Sequence, residues 1–304
     1  MRVFVAGATG FIGRATCRAL VAAGHEVRGL ARDRDKAALL EREGTLPVIG
    51  TLDEPASFLK AADRPEAIVH LAATWFQGRE TIDQARAIGE RIREWTRALA
   101  RLGLDSGTRI FVFGGSNVNQ TEGRPEAGAL APDEVVGYDR ILEPAQTYLE
   151  TEARDLPLTV VLPGWVYGAG SWFPELVREI REGRTTHVVD GGEARLGYVH
   201  VEDVGEAFRL AVEKCAARRV YNVVDEEGLT ASQFAEATAR AMGAAEPRGV
   251  SREQAIEERG EVYCEALTCS VGLDISRTRR ELGWRPRHPT SREGIPVALR
   301  ALGA

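Results

Sequence analysis

The chain has 304 residues, 44% apolar and 28% charged, enough to bury a sizeable core as one large α/β domain or a domain with an appended lobe. Thirty-nine basic against forty-five acidic side chains leave a net charge of −6, which excludes a general electrostatic pull toward nucleic acid or an anionic membrane. Cys17, Cys215, Cys264 and Cys269 show no metal-ligand spacing, no apolar run nears the roughly 20 residues of a membrane helix, and no leader is evident, so a cytoplasmic protein without bound metal is expected.

In chain order, short β-branched runs alternate with segments of helical period, the pattern of βαβ units and a parallel sheet. Strands are predicted at 2–6, 26–30, 47–49, 67–71, 109–113 and 158–162. Helices are predicted at 13–23, 34–42, 54–61, 81–102 and 138–152. Such strands are apolar throughout because helices cover both sheet faces. Ile88, Ile92, Trp95, Leu99 and Leu102 recur at helical spacing and suit either packing on the sheet or a homodimer through 81–102 and 138–152. After Pro163, Gly, Pro and aromatic residues cluster and a smaller lobe begins, with helices at 202–214, 232–242 and 276–282 and a strand at 220–224. The expected division is a dinucleotide-binding domain at 1–163 and a substrate lobe at 164–304, of which 198–224 partly returns to the first domain. The Arg/Glu-rich stretch 251–260 reads as a solvated helix face.

Directly after the first strand stand Gly7, Gly10 and Gly13, within GATGFIG, at the opening of a helix. Glycines there permit a tight turn and close backbone approach to a pyrophosphate, and the helix N-terminus offers unpaired N–H groups. Phosphate binding is favoured over a plain strand-to-helix turn. At the end of the second strand an acidic residue would take both ribose hydroxyls and an arginine would welcome a 2′-phosphate. Arg32 stands there, with Asp33 as the competing acidic residue, so NADP(H) is favoured and NAD(H) is the alternative.

Together with the glycine loop, the segments IVHLAA (68–73), RIFVFGGS (109–116), LPGWVYG (162–168), YVHVEDV (198–204), VYNV (220–223) and LGWRP (282–286) resemble the extended short-chain dehydrogenase/reductases, the NAD-dependent epimerase/dehydratase branch. The resemblance implies a Rossmann-like doubly wound parallel sheet with a smaller C-terminal α/β lobe over the substrate. It implies cofactor contacts at Gly7, Thr9, Gly10, Phe11, Ile12, Gly13, Arg32, Leu52, Leu71, Ala72, Ala73 and Pro163. His70 and His200, inside two of these segments, are expected to pack, and His25, His187 and His288 are scattered.

In the resembling family a serine polarises the substrate carbonyl, a tyrosine passes a proton, and a lysine four residues later depresses the phenol pKa. Ser116 and Tyr138 match the first two, but the lysine position holds Leu142, and no lysine occurs between Lys60 and Lys214. A free phenol titrates near ~10, and an aliphatic neighbour cannot lower that. A protonated tyrosine still donates, so reduction of a carbonyl is expected to be easier than alcohol oxidation. Trp75, Phe76, Trp165, Trp172 and Phe173 suit either an apolar pocket or lobe packing. Arg195 and Leu162 fit poorly to the arginines that sugar-nucleotide members use. The expectation is an NAD(P)-dependent oxidoreductase of a small-molecule metabolite. A non-enzymatic NADP(H) sensor and a non-redox isomerase or lyase are the alternatives.

Overall fold

In a computed structural model, residues 1–73, 80–115, 137, 139–214, 218–271 and 274–303 are described. The first half builds β1 (Arg2–Ala6), α1 (Phe11–Ala22), β2 (Glu26–Ala31), α2 (Arg34–Arg42), β3 (Leu46–Ile49), β4 (Ala67–His70), α3 (Ile82–Ser106), β5 (Ile110–Gly114), α4 (Asp139–Thr151) and β6 (Leu158–Pro163). These strands and β10 (Arg219–Val223) form one seven-stranded sheet in the order β10-β6-β5-β4-β1-β2-β3, with every pairing parallel. The strands divide by face. Val3, Val5, Val69 and Val112 meet Ala15, Leu20 and Phe208 on one side, whereas Phe4, Ile68, Phe111 and Phe113 meet Ile92, Leu99, Ile141 and Leu149 on the other.

Helix α3 starts on a capping box, Thr81 Oγ1 accepting from the Gln84 amide and Gln84 from the Thr81 amide, and stops at Gly107, φ 64°. Its apolar stripe is consumed within the chain: Ile92, Leu99 and Leu102 are buried in the sheet core, and Ile88 and Trp95 pack against the same core half-buried. Facing water are ion pairs Asp83–Arg86, Glu90–Arg93 and Glu94–Arg97.

The helix predicted at 54–61 is only a 3₁₀ turn, Pro55–Ser57. Within 54–62 just Phe58 and Ala62 are buried, too narrow a stripe to hold a helix, and Asp63 and Arg64 then turn through positive φ. Residues 276–282 are helical but close as a π turn, Thr278–Leu282.

The remaining elements are β7 (Trp165–Tyr167), α5 (Phe173–Arg181), β8 (Arg184–Val189), β9 (Tyr198–His200), α6 (Val201–Lys214), α7 (Ala231–Ala241), β11 (Arg248–Val250), α8 (Arg252–Arg259), α9 (Glu261–Thr268) and α10 (Ser291–Leu302). Of these, α6 packs under the main sheet against α1, so closely that a Cβ at Gly205 would lie 2.7 Å from the Ala15 carbonyl carbon. Strands β7 with β9 and β8 with β11 make two small parallel sheets. Around them an aromatic core forms from Trp165, Tyr167, Phe173, Tyr198, Phe234 and Tyr263.

One buried carboxylate stitches the C-terminal segment onto α6. Asp203 Oδ1 accepts the Arg287 amide at 2.6 Å, and Oδ2 accepts the His288 amide at 3.2 Å and lies 2.9 Å from His288 Nδ1. The Asp203 carbonyl accepts Trp284 Nε1 at 3.0 Å. Such multiple donors repay the cost of burying the charge.

Three histidines are buried and neutral: burial pulls His70 down to about 3, His187 to about 3 and His200 to about 4, with Arg259 adding to the effect on His187 and His288 to that on His200. Folded values below the unfolded one mean that the unfolded chain takes up protons first as pH falls. Stability present above about pH 6.5 is therefore lost on descending toward pH 4, at about 1.4 kcal/mol per pH unit per histidine. Urea denaturation between pH 7.5 and 4.5 will show this slope, and His187→Gln will reduce it by about one proton; a pH-independent midpoint would contradict the neutral burial.

Candidate active site and cofactor cradle

At the C-terminal end of β1 the chain turns at Gly7, φ 84°. A Cβ there would lie 2.6 Å from the Leu71 carbonyl carbon, so this turn and the end of β4 meet backbone to backbone. At Gly13 a Cβ would stand 2.0 Å from the Gly7 oxygen, seating α1 against the strand end. Gly10 is different: it is exposed, and its closest contact from a Cβ would be 3.2 Å, to the Gly7 oxygen. The first bond of α1 runs from the Arg14 amide to the Gly10 carbonyl at 2.9 Å, and Gly10 caps the helix without a side chain. The amides of Phe11, Ile12 and Gly13 thus precede the helical ladder at the positive end of the helix dipole, with half-buried Thr9 in the same turn. That is a cradle for an anion.

Strand order reverses between β1 and β4, the place where open α/β sheets bind ligands. The Leu71 amide donates to the Ala6 carbonyl at 2.9 Å, and Ala72 and Ala73 follow beside the glycine turn. His70 shapes this turn. Its Nδ1 accepts the Ala72 amide at 3.3 Å, and its Nε2 lies 2.8 Å from Thr96 Oγ1, which itself donates to the Ile92 carbonyl. A neutral ring held on both nitrogens packs and positions; it has no catalytic proton to spare.

Arg32 is exposed immediately past β2. Asp33, its acidic competitor, is the N-cap of α2, with Oδ1 accepting the Lys36 amide at 2.8 Å. Leu52 is buried in the core behind the strand ends, and Pro163 is the last residue of β6. The sequence reading missed one contact: a Cβ at Gly170 would lie 2.9 Å from the Phe11 ring, so the chain leaving β7 folds over the glycine turn. The signal was Gly168 and Gly170 so soon after a strand.

Ser116 and Tyr138 lie outside the described residues, as do Trp75 and Phe76. Their neighbours are described. A Cβ at Gly115 would come within 2.6 Å of Leu162 Cδ2 and 3.2 Å of Gln146 Oε1, so the end of β5 sits against β6 and α4. The Gly137 amide donates to Glu265 Oε2 at 3.0 Å, and Arg140 holds the same carboxylate bidentately, Nε to Oε2 at 3.0 Å and Nη2 to Oε1 at 2.9 Å. Burial opposes ionisation of Glu265, yet Arg140 and the Gly137 amide hold its carboxyl below the usual range. Leu142, at the position of the family lysine, is half-buried against the core of α3 and α4.

In the lobe, Trp165 and Phe173 belong to the packed core. Trp172 donates from Nε1 to the Val166 carbonyl at 2.8 Å and stacks on His187 at 4.5 Å. These side chains pack the lobe, in place of the open apolar lining that was the other expectation. His288 is not isolated as its sequence position suggested: it joins His200 and Asp203, with ligand atoms within 4.8 Å of one another. Both Asp203 oxygens already accept hydrogen bonds, and His200 Nδ1 accepts the Glu202 amide at 3.3 Å, so the cluster is a structural latch. Among the described residues no helix is long and apolar enough to cross a membrane.

The family model for the NAD dependent epimerase/dehydratase family matches residues 3–224. The chain belongs to that family. It is 32% identical over 312 residues to a 3-diazoavenalumate denitrifying reductase of a Streptomyces species, covering 97% of this chain and 99% of the relative. It is 27% identical to a 4-hydroxy-2-methyl-3-oxo-4-farnesyl-3,4-dihydroquinoline-1-oxide ketoreductase of Stigmatella aurantiaca, covering 100% and 97%. In fold it is similar to the UDP-glucose 4-epimerase of Thermus thermophilus solved with NAD, at TM-score 0.77 and 23% identity over 100% of this chain and 99% of that one. A human epimerase family protein solved with NADPH gives 0.78 and 21% over 99% of each. The protein is accordingly an NAD(P)-dependent enzyme of epimerase/dehydratase type.

The two glycines separate fold from binding. Gly13→Ala will destabilise the fold by roughly 1–3 kcal/mol, since its Cβ meets backbone. Gly10→Ala will melt near the parent temperature but bind its NAD(P) cofactor about tenfold more weakly, a loss of ~1.4 kcal/mol. Thermal melts and fluorescence titration with NADPH check both.

Proposed function

We propose that this enzyme is an NADP(H)-preferring reductase of a small-molecule carbonyl compound, with Ser116 and Tyr138 at the carbonyl. The observation that carries the cofactor choice is the engagement of Asp33 as the helix cap of α2, which leaves the exposed Arg32 as the charged group past β2. A guanidinium there fits the 2′-phosphate bidentately. The pyrophosphate would rest on the amides of Phe11, Ile12 and Gly13, and Leu71, Ala72, Ala73 and Pro163 would border the cofactor at the strand ends. The cradle and the switch point fit such a group.

When bound, NADPH supplies a hydride to the carbonyl carbon. The chain's own part is position and one proton: the Ser116 hydroxyl donates a hydrogen bond to the carbonyl oxygen, and the Tyr138 phenol gives it a proton, which solvent later returns. Leu142 supplies no charge to depress the phenol, and Arg140 is already neutralised by Glu265. With no cation at 142, the phenol is read as a protonated donor, which suits reduction. The relatives named as reductase and ketoreductase support that direction. A nucleotide-sugar substrate is disfavoured: Leu162 is buried core, and the Arg195 guanidinium donates to the Gly228 carbonyl. Pairing of two copies through α3 and α4, the alternative to sheet packing that the sequence left open, would join charged faces and would loosen in high salt on sedimentation.

Charged hydrogen bonds are worth about 1.5–3 kcal/mol, so Arg32→Ala will weaken NADPH binding roughly 10- to 100-fold and leave NADH unchanged. Equal effects on both nucleotides would reverse the assignment. With NADPH and a panel of aldehydes and ketones, Ser116→Ala and Tyr138→Phe will each lower turnover by about 10²-fold or more; unaltered rates in both would remove these residues from the chemistry.

A further inference from the structure

We infer that the Phe11 side chain is a positioning contact through which a bound nucleotide fixes the segment 168–171, a strap that leads from β7 into the lobe. The inference rests on the reading that the nucleotide sits on the amides of Phe11, Ile12 and Gly13. Phe11 is the first residue of α1, and its two ends serve different neighbours: its amide belongs to the anion cradle, whereas its half-buried ring lies against the strap. A Cβ at Gly170 would stand 2.9 Å from Cδ2 and 3.1 Å from Cε2 of that ring, and one at Gly168 would stand 3.2 Å from Cζ. Both glycines therefore rest on one aromatic ring with no side chain between.

The strap is short and held at each end. A Cβ at Gly168 would also lie 2.9 Å from Val201 Cγ1, at the start of α6, and the Gly170 amide donates to the Gly168 carbonyl at 2.8 Å, a three-residue turn. Ser171 then takes φ 59°, left-handed for a residue with a side chain, a conformation that persists only where the flanks dictate it. The next residue is Trp172, placed by its bond to the Val166 carbonyl and by its stack on His187, with the rings 5° from parallel. His187 passes the contact on to Tyr198, its Nε2 lying 2.7 Å from the phenol oxygen. One strained residue thus separates the strap's seat on Phe11 from the aromatic core, so a shift at Gly170 is carried to Trp172 with little slack.

A nucleotide held by the Phe11 amide immobilises the backbone that bears the ring, and the ring is what the strap rests on. Filling the cradle therefore restricts 168–172 and steadies the edge of the lobe core.

Hydrogen exchange on the full chain, with and without NADPH or NADH, tests this without any turnover. Amides ahead of the helical ladder exchange freely until a ligand takes them, so protection at 10–13 reports a filled cradle. Expected in the parent is that protection together with an about fivefold slowing of exchange in 168–173. In Phe11→Ala at saturating nucleotide the cradle stays protected and the slowing in 168–173 is lost; Phe11→Tyr, which keeps a ring, retains it. The nucleotide Kd, from fluorescence titration, is the second readout. Gly170→Ala, whose new methyl meets the ring, raises it about fivefold in the parent but by no more than about twofold in the Phe11→Ala background, where there is no ring to meet. A filled cradle with unchanged exchange in 168–173, slowing that survives in Phe11→Ala, or an equal effect of Gly170→Ala in both backgrounds overturns the inference. If neither nucleotide protects 10–13 in the parent, the seat assigned to the nucleotide is wrong and the inference falls with it.

Discussion

The structure depends on a steric constraint at the first turn, where β1, α1 and β4 come together with no side chain between them. Gly7 brings the chain onto the Leu71 carbonyl, and Gly13 seats the helix on the Gly7 oxygen. Close approach has two effects at once. It allows α1 to pack flat on the valine face of the sheet, and it directs the helix N-terminus at the spot where strand order reverses. Gly7 and Gly13 thus secure the packing, and exposed Gly10 leaves the helix N-terminus that they aim open to a ligand.

A second layer of order comes from polar groups buried with their partners. His70 holds the turn after β4, and Asp203 draws the Trp284 to His288 stretch onto α6. Glu179 does the same in the lobe, accepting from Thr185 Oγ1 at 2.8 Å and from the Thr186 amide and hydroxyl at 2.9 Å. Two of these groups, His70 and Asp203, sit inside the family-like segments, and there their hydrogen bonds hold architecture. What the described strand ends leave open at the glycine turn is mainly the backbone amides at the start of α1 and the exposed Arg32.

The sheet could be read from the sequence because strands covered on both faces are continuously apolar, and β1 begins and ends where the pattern does. Helices α2, α3 and α4 were visible through their helical period, within a few residues at each end. Strands β7, β9 and β11 have three residues each, too short for any period to register. The stretch 54–61 has helix-forming residues but only one turn's worth of buried surface, and burial decided against propensity. At the site, Arg32 and Asp33 were ambiguous until a cap bond showed how Asp33 is used. Glu265 could not have been found at all: it lies more than a hundred residues from Arg140, and no local pattern ties them.

Because α9 lends residues to two cores and a carboxylate to α4, the boundary between cofactor domain and lobe is not a clean seam. A chimera that imports a foreign lobe to change specificity would arrive without the carboxylate that holds the Gly137 amide and Arg140. Recombination of such modules would have to transplant the α4 turn and α9 as a matched pair.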